Sequence, residues 1–168
     1  MINVSVEKTS ALECLEVIRH EYELECNKSH SFESRAAIII TILAALCIFI
    51  FEKIHISQLL EIAASSTFSF MQLIKICAGT FIYLGFALTL FFVVRTIRVE
   101  THQVLDVSKF NESFIGKPRL EGMTRLIFSY RAIILQHREV NERKAKNLKN
   151  AMIWLIVSIT AIAVYVNC

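Results

Sequence analysis

The residue types that most often carry out chemistry in proteins do not form a known catalytic arrangement in this chain. Five histidines are present, but no two of them are four residues apart. The cysteine count is odd, at five, and no CxxC pair occurs, so neither a disulfide framework nor a zinc site is expected. Nucleophile-elbow, phosphate-loop, dinucleotide-binding and zinc-protease motifs are also missing. The sequence therefore predicts no enzyme activity, no cofactor and no metal.

A heptad pattern in the last third of the chain places polar side chains where apolar ones are expected. One seam position holds Leu120, Ile127, Ile134, Asn141 and Leu148, and the other holds Met123, Tyr130, His137, Lys144 and Ala151. An asparagine at such a position often fixes the register of helix pairing at a cost in stability. It would specify how this helix pairs with a second copy or with an N-terminal helix; alternatively, the helix simply becomes solvated here. The candidate register or gating residues are Tyr130, His137, Asn141 and Lys144.

A run of basic residues directly precedes the last apolar stretch of the chain. It consists of Arg138, Arg143, Lys144, Lys146 and Lys149. Basic residues beside a membrane attract anionic lipid headgroups, by about 1 kcal/mol for each charge. The same run also fits an anionic ligand such as a nucleotide. No aromatic side chains alternate with these charges, which argues against direct nucleic-acid binding.

Three stretches without charged side chains must position these groups. They are residues 36–51, 76–94 and 150–168. A helix rises about 1.5 Å per residue, so the last two reach roughly 27–28 Å, close to the ~30 Å hydrocarbon core of a bilayer. The first reaches only about 24 Å and also fits a buried core helix. A hydrophobic fraction of 55%, above the ~45–50% of soluble chains, favours membrane spans at about 36–53, 74–94 and 150–168.

The basic residues are distributed unevenly between these spans. Residues 1–35 hold 4, residues 52–75 hold 2 and residues 95–149 hold 12 of the 18 Lys and Arg side chains. The positive-inside rule places the 12-charge segment in the cytoplasm. Alternation then puts the N-terminus in the cytoplasm and the C-terminus outside. The connection around 54–64 either lies at the outer interface or continues the first span.

Two segments outside the spans are predicted to be helical and to attract each other. Ser10 and Glu13 match a capping box, which predicts an amphipathic helix over residues 10–27 that can run on into the first span. Residues 1–35 carry a net charge of −3, whereas residues 95–149 carry +6. A break at 116–118 precedes a stalk helix over 123–149 that continues into the third span. The acidic helix is expected to pack along this basic stalk.

The predicted fold is therefore an all-α membrane protein with three transmembrane helices and a cytoplasmic helical bundle. Its segments are an acidic cytoplasmic helix (1–35), a membrane hairpin (36–94), a basic cytoplasmic segment (95–149) and a third span (150–168). In the second span, Gly79 and Gly85 are candidate helix–helix contacts, because small residues let neighbouring backbones approach closely. No cleavable leader is expected.

The stalk sequence and its position resemble a known class of bacterial proteins. The resemblance is carried by Tyr130-Arg131-Ala132, His137-Arg138, Asn141, Lys144, Leu148 and Ala151, which lead into an apolar helix after an acidic helix and a membrane hairpin. This order is similar to that of small transmembrane effectors of anti-phage defence systems, of the two-helix and SLATT types. The resemblance implies homo-oligomerisation in the bacterial inner membrane and membrane disruption on infection. The third span departs from the two-span pattern, and no ligand-binding residue is carried over.

Two functions remain open at this point. The first is a pore-forming or membrane-disrupting effector in antiviral defence, with membrane lipids and further copies of itself as partners. The second is a non-catalytic scaffold that anchors a cytoplasmic protein partner such as a sensor or nuclease. The spans contain no Asp or Glu, and repeats typical of transporters are missing, so the sequence offers no selective site for a solute.

Overall fold

The computed structural model describes residues 2–54, 57, 59, 69–98 and 118–167. Within them the chain forms three long helices: α1 (Ile2–Lys53), α2 (Phe70–Ile97) and α3 (Arg119–Asn167). All three are long and apolar enough to cross a membrane. The predicted all-α class and the predicted number of membrane-compatible helices are thus confirmed for the described part of the chain.

Helix α1 joins the predicted N-terminal helix and the first span without a break. Its 52 residues contain neither glycine nor proline, so nothing in the sequence interrupts the ladder of backbone hydrogen bonds. The helix start predicted at Ser10 is wrong, because α1 begins at Ile2 and Ser10 lies inside it. The capping-box spacing occurs there on a helix that is already formed.

Helix α3 runs without a break from the predicted stalk segment into the third charge-free stretch. It begins directly after Pro118, a residue well suited to the start of a helix and unsuited to its interior. From there it runs for 49 residues. Of the predicted break at 116–118, only Pro118 lies within the described residues.

Helix α2 extends the predicted second span at both ends. At its start, the backbone N–H of Ser69 donates to Gln72 Oε1 at 2.9 Å, which satisfies one otherwise free donor. The Ser69–Gln72 spacing is a capping-box signal that the sequence analysis did not use. At its end, the Arg98 N–H donates to the Val94 carbonyl at 2.9 Å.

The chain divides into two compact units, and α1 and α3 contribute to both. Unit 1 comprises Met1–Ser31 and Val99–Arg143, and unit 2 comprises Phe32–Arg98 and Lys144–Cys168. In unit 1 the described parts of α1 and α3 contact each other. Unit 2 contains the three charge-free stretches. Most of the 54–64 connection, and the basic segment before Pro118, lie outside the described residues.

Unit 2 buries aliphatic side chains together with a few hydroxyl groups, and it also exposes large apolar side chains. Its core forms two clusters, the first centred on Ala36, Ile39, Leu43, Val93, Leu148, Ala151 and Leu155, and the second on Ile50, Ile54, Ile82 and Ala161. Thr89, Thr96 and Ser158 are fully buried, whereas Ile48 is 72% and Phe70 76% exposed. Apolar side chains on the outside are typical of helices that are surrounded by lipid.

Candidate functional site

A buried carboxylate in unit 1 joins α1 to α3. Glu25 on α1 is only 3% exposed. Its Oε1 accepts a hydrogen bond from Lys28 Nζ at 2.8 Å and a longer one from Arg138 Nε at 3.4 Å. Its Oε2 accepts from Asn141 Nδ2 at 2.9 Å. Charge-assisted bonds of this kind are about twice as strong as neutral ones, and two of these three come from α3.

Asn141 makes a double contact with Glu25 but leaves one of its own atoms unsatisfied. Its Nδ2 donates both to the Glu25 carboxylate and to the Glu25 backbone carbonyl, each at 2.9 Å. Its Oδ1 is buried and accepts no hydrogen bond from any residue that the structure describes. A buried acceptor without a partner costs roughly 1–3 kcal/mol, so this contact is specific but energetically incomplete.

Aromatic rings and a second ion pair surround this contact. Tyr22 on α1 lies edge-to-face against Tyr130 and against His137, with 5.6 Å between ring centroids in both cases. Arg138 Nη2 also donates to Glu21 Oε2 at 2.7 Å. In unit 1, the acidic part of α1 and the basic part of α3 therefore contact each other through these side chains.

The charges around Glu25 control its ionisation. Burial on its own would raise the pKa of this carboxyl, because a charged group is poorly solvated away from water. Hydrogen bonds from Lys28, Asn141 and Arg138, together with the positive charge of Lys28, outweigh that effect and hold the pKa below its ordinary value of 4.5. Glu25 precedes the charge-free stretch of α1 and remains ionised at neutral pH.

A second buried polar contact lies in unit 2. Lys144 Nζ on α3 donates to Glu33 Oε1 on α1 at 2.7 Å, and the lysine side chain is 5% exposed. Breaking a buried ion pair by removing one partner is costly, because the other charge is left without compensation. This pair and Glu25–Asn141 each join the same two helices within their own unit.

The four candidate register residues all lie on the face of α3 that turns towards α1. His137, Asn141 and Lys144 are buried, and Tyr130 is partly buried. The alternative that this part of the stalk becomes solvated is wrong, because these three side chains are buried. Glutamates on α1 bind Asn141 and Lys144, and the ring of Tyr22 lies against His137. Of the two pairings left open for Asn141, the structure contains the one with the N-terminal helix.

The contacts with glutamates on α1 involve only some residues of the basic run. Arg138 and Lys144 bind glutamates, and the burial of Lys144 argues against a headgroup contact for that residue. Arg143, Lys146 and Lys149 are exposed. Arg138 is also half exposed, although it binds glutamates on α1. Four of the five residues of the run therefore have exposed side chains, as the sequence analysis expected, and Lys144 does not.

The two candidate contact glycines are both buried, but they have different neighbours. A Cβ added at Gly85 would collide with Ser158 Oγ and would lie 3.3 Å from the Trp154 carbonyl, both on α3. At Gly79 an added Cβ would instead meet the terminal methyl groups of Leu59. Gly85 is thus the point of close approach between α2 and α3.

Sequence analysis missed the acidic half of the site. Neither Glu25 nor Glu33 was singled out, although Glu25 follows Tyr22 by three residues and so continues the buried stripe of α1. A carboxylate in such a stripe, opposite a helix with Asn and Lys in its seam, was the available signal. Cys26 and His30 also lie one turn apart, but the described residues contain no cluster of three potential metal ligands.

Comparison with family models, with curated proteins and with solved structures gave no match for this chain.

Proposed function

We propose that this protein is an oligomeric effector of the bacterial inner membrane that makes the membrane leaky, in the context of anti-phage defence. Its N-terminus and the residues of unit 1 lie in the cytoplasm. The parts of α1, α2 and α3 that belong to unit 2 cross the bilayer. The Glu25–Asn141 contact acts as a latch that keeps the protein inactive. A signal that breaks this latch alters the position of the third span.

The observation that carries this proposal is the incomplete polar contact at Asn141. A structural contact optimised for stability would satisfy both atoms of a buried amide, whereas this one leaves Oδ1 without a donor among the described residues. Buried polar groups of this kind favour one helix register over others without adding much stability. A contact that is specific but weak suits a state that must be released.

The continuity of α3 supports the mechanism. Asn141 and the charge-free stretch that begins at Asn150 belong to one helix, with neither glycine nor proline between them. A helix transmits rotation and tilt along its length unless something breaks its hydrogen bonds. A change at Asn141 therefore alters the orientation of the third span directly.

Self-association follows from the surface of unit 2. Lipid tails are as apolar as leucine, so three thin helices gain little by packing only against one another. Exposed side chains such as Ile156 and Phe91 offer further surface to a second copy. The mass of the protein in nanodiscs measures this directly, and a monomer would contradict the oligomeric part of the proposal.

The latch is tested by inducing Glu25→Gln in a bacterial host while a potential-sensitive dye is followed. Glutamine keeps the size of the side chain but loses the charge that Arg138 and Lys28 contact, so we expect loss of membrane potential without infection. The matched control is Glu121→Gln, which removes a carboxylate from an exposed pair within α3. A normal potential with Glu25→Gln at equal membrane levels would overturn the latch mechanism.

The scaffold function remains the second candidate, because unit 1 exposes large apolar side chains. Phe128 and Leu135 on α3 are 63% and 58% exposed, and they lie seven residues apart on one face. That face is separate from the one that packs on α1. An exposed apolar pair outside the spans favours a protein partner.

Affinity purification of the same induced cells separates the two functions. A scaffold predicts that one cytoplasmic protein is recovered with the wild type and lost with Phe128→Ser/Leu135→Ser, while the membrane potential never changes. An effector predicts the depolarisation described above whether or not a partner is recovered. The Asn141→Ala variant is informative for both functions, because it breaks the latch and keeps Phe128 and Leu135. An effector predicts depolarisation with this variant, whereas a scaffold predicts that the partner is still recovered.

A further inference from the structure

Five exposed cations surround one end of the apolar bundle in unit 2. They come from all three helices or their ends and are Arg35 on α1, Arg95 on α2, Arg98 directly after α2, and Lys146 and Lys149 on α3. We refer to them as the basic belt. Three of them, Arg35, Arg95 and Arg98, lie far in sequence from the basic run that precedes the third span.

The packing of the core places these residues at one level. Ala36, Val93 and Leu148 belong to a single buried cluster. Arg35 directly precedes the first of them, Arg95 follows the second by two residues, and Lys149 follows the third by one. Because a helix rises about 1.5 Å per residue, Arg35, Arg95, Lys146 and Lys149 lie within about one turn of that shared layer. Arg98 follows Val93 by five residues and lies directly beyond the end of α2.

The belt is not neutralised by the acidic groups that the structure describes in unit 2. None of its five side chains forms an ion pair with a residue that the structure describes. Glu33 is the one acidic residue that the described part of unit 2 has at this end, and it contacts Lys144. At the opposite end, the described helices carry Lys53 and Lys75 against Glu52, a net charge of only +1. Among the described residues of unit 2, the excess of positive charge is therefore concentrated at one edge of the apolar surface.

We propose that the basic belt binds anionic phospholipid headgroups of the leaflet that faces the cytoplasm. The apolar side chains beside it meet acyl chains, while the long Arg and Lys side chains reach the phosphates. Three helices contribute, so the contact also fixes the depth at which unit 2 sits. This inference rests on the membrane insertion contained in the proposed function.

The single tryptophan of the chain gives a direct measurement. Trp154 lies on α3 five residues after Lys149, about 7–8 Å along the helix, and is partly exposed. The full-length protein is reconstituted in phosphatidylcholine vesicles that contain brominated phosphatidylglycerol or brominated phosphatidylcholine, both of which quench tryptophan fluorescence. We expect stronger quenching by the anionic lipid at equal mole fraction.

Two double variants test the belt. Lys146→Gln/Lys149→Gln and Arg95→Gln/Arg98→Gln should each lower the preference for the anionic lipid, by up to about fivefold for each charge removed at low salt. The matched control is Lys75→Gln, which removes one cation at the opposite end and should leave the preference unchanged. Because the two double variants alter different helices, a folding defect in one of them still leaves the other as a test.

The remaining outcomes separate this inference from the proposed function. Quenching that is equal for both lipids in the wild type would overturn the belt but keep membrane insertion. An absence of quenching by either lipid would overturn insertion itself. A preference that sodium phosphate abolishes, while sodium chloride of the same ionic strength does not, would assign the belt to a soluble phosphate ligand and overturn the lipid assignment.

Discussion

The buried residues Glu25 and Asn141 show how a polar pair can specify a helix contact. Asn141 donates to both a side-chain and a backbone oxygen of Glu25, so it recognises one position along α1 rather than a general acidic surface. The exposed pair Arg19–Glu23, by contrast, lies within α1 and adds only a few tenths of a kcal/mol. The specificity of the α1–α3 contact in unit 1 is therefore attributed to the buried pair.

Acid should weaken this contact, and Glu25→Gln should remove the effect. The folded pKa of Glu25 is lower than its ordinary value of 4.5, so the unfolded chain binds a proton more readily than the folded one. The stabilisation from this carboxylate is therefore complete above pH 4.5 and is lost as the pH falls through the lowered pKa. Thermal unfolding in detergent, followed by circular dichroism at about pH 7 and pH 3.5, measures the difference.

Glu23→Gln provides the comparison for that experiment. Glu23 is exposed and pairs with Arg19 one turn earlier in the same helix, so this variant should keep the acid sensitivity of the wild type. If Glu25→Gln and the wild type lost the same stability between the two pH values, another carboxylate would be responsible for the acid response.

At the scale of the helices, the long elements could be predicted and their partners only in part. Hydropathy and the absence of glycine and proline after Gly122 predicted one long helix α3 that includes the third charge-free stretch. Such features depend on local sequence alone. The start of α1 was misplaced, since a capping-box spacing such as Ser10–Glu13 also occurs inside helices. The roles of Glu25 and Glu33 could not be predicted from the sequence of α1 alone, because they depend on which α3 residues lie opposite.

Substitution of Gly85 should loosen the packing of α2 on α3. In Gly85→Ala the new methyl group collides with Ser158 Oγ, so the helices must separate or the serine must rotate away from its bond to the Trp154 carbonyl. Overpacking of this kind costs about 1–3 kcal/mol. Unfolding in mixed detergent micelles measures the loss.

The structure supplies both a control and a rescue for this variant. Gly79→Ala should cost less, because its methyl group meets only the flexible end of Leu59. Adding Ser158→Ala to Gly85→Ala removes the colliding oxygen and should recover much of the lost stability. A failure of this rescue would show that the close approach of α2 and α3 is not set by these two residues.

At the scale of the whole molecule, the proposed orientation can be tested with native cysteines. Cys14 and Cys77 are both exposed free thiols, one in the charged part of α1 and the other in the apolar part of α2. A variant that keeps only Cys14 should react with a membrane-impermeant maleimide in inverted vesicles but not in intact spheroplasts. Labelling in intact spheroplasts would contradict a cytoplasmic N-terminus.

A variant that keeps only Cys77 is the companion measurement. Its thiol is exposed on the surface of an apolar helix, and thiols need water to form the reactive thiolate. We expect little labelling from either side of the membrane. Rapid labelling would mean that water reaches this face of α2.

The buried hydroxyl groups of unit 2 affect how easily its helices can move past one another. Thr89, Thr96 and Ser158 each donate to a carbonyl four residues earlier in their own helix, at 2.7, 2.9 and 2.8 Å. Sliding of α2 against α3 therefore breaks none of these three bonds. A shift of α2 relative to α3 that leaves these bonds intact would be sensitive to lateral pressure in the bilayer. Bilayer thickness and tension then become variables that act on the protein without any ligand.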